Sequence, residues 1–190
     1  MSRISDTIKQ DHREIEAVYD RIVASTDRDE QIRFQNLFVW ELARHAVGEE
    51  LVVYPAFEKH VKYVGKELAQ KDREGHQEVK NQLKHFQQLD PSNTNFLTTL
   101  TALMDDLSVH IKEEETEDLV MLEDALSESD SHALAKSFTR TKIFVPSRAH
   151  PHAPNKPPFE TAVGLLMAPF DQVVDLFRKW PHESGDSVAT

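Results

Sequence analysis

The sequence predicts an all-α protein, an up-down antiparallel four-helix bundle followed by a proline-rich C-terminal extension with short helices. Three observations predict it. Apolar residues recur at helical spacing in four long segments. Short polar turns separate the segments, which favours antiparallel neighbours. One histidine falls mid-way along each segment, at His12, His45, His76 and His110.

The first helix is expected over residues 3–25, where Ile4, Ile8, Ile15, Val18 and Ile22 share one face and Ser5 or Asp6 can cap the start. The turn Thr26-Asp-Arg-Asp follows. The second is expected over 30–60, with Phe34, Leu37, Phe38, Leu42, Val52 and Phe57 facing inward. Pro55 lies inside it and should kink it, because proline lacks the amide donor and crowds the preceding turn. The third runs over 65–89, with Leu68, Val79, Leu83 and Phe86, and Asp90-Pro91-Ser92-Asn93 ends it. The fourth runs over 95–127, with Leu97, Leu100, Leu103, Met104, Leu107, Ile111, Leu119 and Leu122. Residues 1–127 therefore form the bundle domain. Residues 128–190 are expected to be a proline-rich segment and short amphipathic helices packing back on it. The segment from Pro146 to Pro158 reads as extended chain, and 159–167 and 170–180 read as short helices. The apolar side of the last, Phe170, Val173, Val174 and Phe177, is expected to pack on the bundle, with a homodimer contact as the second reading. Membrane-surface attachment ranks last, since Asp171 and Asp175 stand where an interfacial helix carries bases.

Composition narrows the function classes. The chain has 190 residues and a net charge of −11 with scattered bases, which argues against a nucleic-acid partner. No apolar run approaches the roughly 20 residues needed to span a bilayer, and residues 1–7 lack the apolar core of a signal peptide. There is no cysteine, so disulfides, thiolate metal sites and cysteine catalysis are excluded. A cytoplasmic location is the expectation compatible with these features.

The histidines carry the chemistry. Two have a glutamate four residues on, in His45-Ala-Val-Gly-Glu49 and His110-Ile-Lys-Glu-Glu114. Residues i and i+4 lie one above the other on a helix, so each pair aims at one point. In an up-down bundle the four histidines come to similar heights. A single histidine on such a helix is ordinarily a hydrogen-bonded or half-exposed residue. Four imidazoles and two carboxylates converging in an apolar interior need one another or a cation. With no thiolate, that donor set suits Fe, Mn, Zn or Cu, and two bridging carboxylates between two histidine pairs point to a di-iron centre. Glu50, Glu113 and Glu115 read as a solvated acidic face, with a terminal ligand from Glu50 or Glu113 as the sharper alternative. Tyr19 reads as a core tyrosine. His60, His85, His132 and His182 read as surface residues, and His150 and His152 as loop residues.

The segments Asp11-His12, His45-Ala-Val-Gly-Glu49-Glu50-Leu-Val-Val-Tyr54-Pro55, Glu74-Gly75-His76 and His110-Ile-Lys-Glu113-Glu114-Glu115 resemble the hemerythrin-like, or HHE cation-binding, family over residues 1–127. The resemblance implies two non-haem iron ions bridged by two carboxylates and an oxo or hydroxo group. By position it makes His12, His45, Glu49, His76, His110 and Glu114 the metal ligands. It also implies a partner that is O2, another small diatomic molecule or peroxide. Oxygen-carrying members have a second histidine one turn after the third-helix histidine, where this chain has Lys80. A protonated lysine cannot ligate, so each metal keeps an open position, which argues against simple oxygen carriage. Two functions are expected: binding of iron and O2 or a related molecule for storage, sensing or protection, or O2- or peroxide-dependent oxidation of a small organic substrate.

Overall fold

The computed structural model describes residues 2–150, 168 and 171–181. Helices α1 (Ile4–Ala24), α2 (Arg28–Gly48), α4 (Gly65–Phe86) and α5 (Phe96–Glu113) are the four long arms. Shorter helices α3 (Tyr54–His60) and α6 (Leu119–Ala125) prolong α2 and α5 through the π-helical segments Glu49–Val53 and Glu114–Asp118. Helix α1 packs on α2, α3 on α4, α4 on α5 and α5 back on α1, which closes the expected four-membered ring. Asp27 caps α2 by accepting the Asp29 amide at 2.8 Å. The first amides of α1 are satisfied across the bundle, by Ser131 Oγ at 3.0 Å on Ile4 and Glu123 Oε1 at 3.1 Å on Ser5.

The Pro55 kink takes the form of a widened turn. Tyr54 N–H donates to Glu49 O, five residues back. Pro55 then sits in the first turn of α3, where its missing amide costs little.

The apolar interior divides in two. One cluster gathers Ile15, Ile22, Phe34, Phe38, Leu83, Phe86, Phe96 and Leu103 towards the α1–α2 turn. The other gathers Ile4, Ile8, Val53, Phe57, Leu119, Leu122 and Phe138 at the opposite end. Between them lies a buried polar layer at the level of His12, His45, His76 and Glu114.

The extension departs from expectation in two ways. Residues 128–144, where no helix is expected, form a seventeen-residue helix, α7 (Glu128–Phe144). Ser127 caps it by accepting the Asp130 amide at 3.1 Å, and Ser131, Ala135 and Phe138 form its buried stripe. It packs on α1, α2 and the first π segment as a fifth helix. Residues 171–175 are helical as expected, but the buried face is the acidic one. Asp175 accepts from Arg148 Nη2 and Ser147 Oγ, each at 2.5 Å, and Asp171 accepts the Ser147 amide at 3.1 Å. These charge-assisted contacts turn both aspartates inward and leave Val173, Val174 and Phe177 exposed. Arg33 and Asn36 hold the Trp180 and Lys179 carbonyls against the outer face of α2. The helix read over 159–167, Phe170, His152 and His182 lie outside the described residues.

Gly65 is where the backbone tolerates no side chain. A Cβ there would lie 2.1 Å from the Phe57 carbonyl oxygen and 2.8 Å from its carbon. That carbonyl accepts the Val61 amide at 3.0 Å, so it cannot move away freely. Gly65→Ala is therefore expected to cost about 3 kcal/mol of stability, measured by denaturant unfolding. A loss below about 0.5 kcal/mol would show that the α3–α4 turn gives way.

Candidate metal centre

Four helices each deliver one imidazole to the polar layer. His12 Nε2 and His45 Nε2 face each other at 3.2 Å across α1 and α2. His76 Nε2 and His110 Nε2 face each other at 3.0 Å across α4 and α5. Glu49 stands between the pairs. Its Oε1 lies 3.2 Å from His45 Nε2 and its Oε2 3.2 Å from His76 Nε2. Glu114 Oε2 lies 3.3 Å from His12 Nε2. Donor atoms of His12, His45, Glu49 and Glu114 all fall within 4.8 Å of one another, and those of Glu49, His76 and His110 do the same. All six sequence-predicted ligands thus gather in one layer. Glu49 is common to both groups, whereas Glu114 sits only with the His12 pair as these side chains lie.

The spacing suits a cation. Ligand atoms about 2.1 Å from a metal and about 90° apart stand about 3.0 Å from each other. Both oxygens of Glu49 and of Glu114 are buried and meet no donor in hydrogen-bonding geometry, although imidazole nitrogens lie near. Four orphan carboxylate oxygens in a dry interior are costly without a positive charge at their centre.

The titration behaviour says what supplies that charge when no metal does. Burial alone would depress His45, but the Glu49 charge and the Asp11 hydrogen bond outweigh it and raise His45 to about 10. Burial also opposes the charge on His76, and the carboxylates of Glu49 and Glu50 beside it overcome that, raising it to about 9. Burial and then the His76 charge lower His110 to about 3. Burial would raise Glu49, yet the imidazoles beside it hold it well below the usual carboxylate range. Burial and the Glu49 charge raise Glu114. Protons on His45 and His76 therefore occupy the role of the cation.

A hemerythrin HHE cation-binding domain model matches residues 3–122. The chain belongs to that family. It is 53% identical over 181 residues to an uncharacterized hemerythrin-like protein of Schizosaccharomyces pombe, covering 95% of this chain and 89% of that one. A crystal structure of a hemerythrin HHE cation-binding domain-containing protein from Mycobacterium kansasii superposes with a TM-score of 0.66 at 17% identity, covering 75% of this chain and 86% of that one. A weaker similarity, 23% over 145 residues, is to a DNA nickase of Nostoc sp., of which the chain spans 40%.

Around these six residues the structure adds others that spacing did not reveal. Glu50 and Glu115 are not a solvated face. Glu50 is fully buried and pairs with Lys80 Nζ, at 2.6 Å to Oε1. Its Oε1 is also 3.7 Å from His76 Nδ1. Lys80 therefore points inward beside the centre rather than out to solvent. Glu115 accepts from His12 Nδ1 at 2.8 Å and from Arg13. Glu113 is half-buried at the surface and pairs with Lys71 at 2.6 Å. Tyr54 is the tyrosine at the centre, with its hydroxyl 3.0 Å from His76 Nε2, while Tyr19 packs against an apolar cluster as expected. In a straight helix at about 100° per residue, Tyr54 would face away from His45. The widened turn at Glu49–Val53 lies between the two.

Asp72 lies one turn before His76, buried, with Oδ2 unpartnered. Burial and then the Asp118 charge raise it to about 8. An acid whose folded pKa lies above its unfolded one loses stability as pH rises from about 4 to about 8. Asp72→Asn removes that loss. The metal-free variant is expected to melt about 5 °C above the parent at pH 8 and level with it below pH 4. Equal melting temperatures at pH 8 would show that Asp72 is not held neutral by burial.

Proposed function

We propose that the chain holds two iron ions, one at His12, His45, Glu49 and Glu114 and the other at Glu49, His76 and His110. It uses them to bind O2 or a related small molecule, for storage, sensing or protection. The observation that carries this reading is the Glu49 carboxylate, fully buried, with each oxygen turned to an imidazole of a different histidine pair. An imidazole and carboxylate set without thiolate suits iron, and iron so held supplies redox chemistry towards O2 and peroxide.

The residues divide the remaining work. Asp11 accepts from His45 Nδ1 at 3.3 Å and Glu115 from His12 Nδ1 at 2.8 Å, so each ring is held with Nε2 facing the centre. Tyr54 offers a hydroxyl proton beside His76. Lys80 neutralises Glu50 and keeps that carboxylate engaged outside the two donor groups. The apolar clusters above and below exclude water.

A second reading, an O2- or peroxide-dependent oxidoreductase acting on a small organic molecule, draws on one feature. A cleft of about 620 Å³ opens between α1 and α7, lined by Asp6, Asp11, His132, Lys136 and Arg140 among others. Clefts of that size hold small ligands, and Asp11 connects this one to His45.

Metal analysis with an optical spectrum tests the main reading. The purified protein is expected to carry about two irons per chain and to show charge-transfer bands after exposure to O2. Glu49→Ala should lose both ions, because this one carboxylate serves both groups. A Glu49→Ala protein that keeps two irons, or a parent that takes only zinc, overturns the assignment. Uptake of the two ions at pH 7 should release about two protons per chain, since His45 and His76 are charged without metal. A dye-monitored titration that registers no proton release would contradict that charge state.

A further inference from the structure

We propose that α7 is part of the metal centre: Lys142, acting through Asp11, is a positioning residue that holds His45 in its ligating orientation and sets how long the ion on the His12 side stays bound. This rests on the reading above that His45 ligates a metal.

A ligating histidine binds through one ring nitrogen, and the acceptor on the other nitrogen fixes the tautomer and the ring plane. For His45 that acceptor is Asp11 Oδ2, at 3.3 Å from Nδ1. The same oxygen forms an ion pair with Lys142 Nζ from α7. Asp11 lies at the edge of the open cleft between α1 and α7, so its inward orientation depends on what holds it there. Lys142 reaches it because α7 is pressed against the base of the site. The Phe138 ring meets the His45 ring edge-on at 6.1 Å. A Cβ on Gly48 would come 2.9 Å from Phe138 and 3.3 Å from Lys142 Cγ, which leaves room only for glycine. Arg44 Nε donates to the Lys142 carbonyl at 2.5 Å, and Glu41 Oε2 lies 4.0 Å from Lys142 Nζ.

His12 is held differently. Its outer nitrogen meets Glu115, which Arg13 of the same helix, α1, braces from the surface. The orientation of His45 thus draws on a helix beyond residues 3–122, the part that matches the family model.

The test uses the full-length protein loaded with iron(II), and measures loss of iron to a coloured chelator under anaerobic, reducing conditions. In Lys142→Met one of the two irons should leave about 10-fold faster than in the parent while the other keeps its rate. Lys142→Arg should restore the parent rate. Asp11→Asn should speed the same phase, and the double variant should be no faster than Asp11→Asn alone, because both substitutions break one chain of contacts. The metal-free Lys142→Met protein should melt within about 2 °C of the parent. Unchanged release in Lys142→Met overturns the inference. So does faster loss of both irons together with a fall in metal-free melting temperature, which marks a purely structural role for α7. Multiplying effects in the double variant also overturn it. A parent that takes up no iron overturns the metal reading itself, and the inference with it.

Discussion

A single buried carboxylate organises this molecule. Glu49 lies with no exposed surface among four imidazoles and a second glutamate, in a layer flanked on both sides by an apolar cluster. An isolated charge there would cost several kcal/mol, so everything around it is arranged to compensate. His45 and His76 retain protons well above neutral pH on its account. Asp11, Glu115, Glu50 and Lys80 form an outer ring that orients those imidazoles or balances their charge. The same demand for positive charge makes the layer receptive to metal.

Both π-helical segments begin at a carboxylate of the centre, Glu49 in one arm and Glu114 in the other. A widened turn adds a residue to the helix without breaking it and shifts the faces that follow. On α2 this lies between His45 and Tyr54, which both reach the centre. On α5 it carries the apolar face from Ile111 to Leu119, an eight-residue step that a regular helix would place about 80° off its stripe. Pro55 explains the first segment locally. The second contains no proline.

The bundle and the six inward groups were legible because they depend on periodicities that survive in the sequence: 3.6 residues for the apolar faces and four for His45–Glu49 and His110–Glu114. Element ends agreed to within a few residues for the same reason. What stayed hidden depends on contacts between segments far apart in the chain. Nothing beside Glu50 in sequence announces Lys80, thirty residues on, so Glu50 reads as solvated. The inward turn of Asp171 and Asp175 requires Arg148 and Ser147, which no local pattern connects to them. Helix α7 is legible only in part. Its Ser127 cap and the stripe Ser131, Ala135 and Phe138 follow ordinary helical rules, but small and polar residues make that stripe inconspicuous.

The division of the interior into two apolar clusters has a consequence for how the molecule breathes. Each cluster is cohesive and apolar, whereas the layer between them consists of imidazoles and carboxylates of opposite charge that water can solvate. A fluctuation that parts the arms has its lowest barrier along this seam, not through either cluster. The imidazoles and carboxylates of the layer can then meet water while both ends of the bundle stay folded. Exchange of whatever the layer holds becomes a local event, and the protein need not pass through its unfolded state to empty or refill.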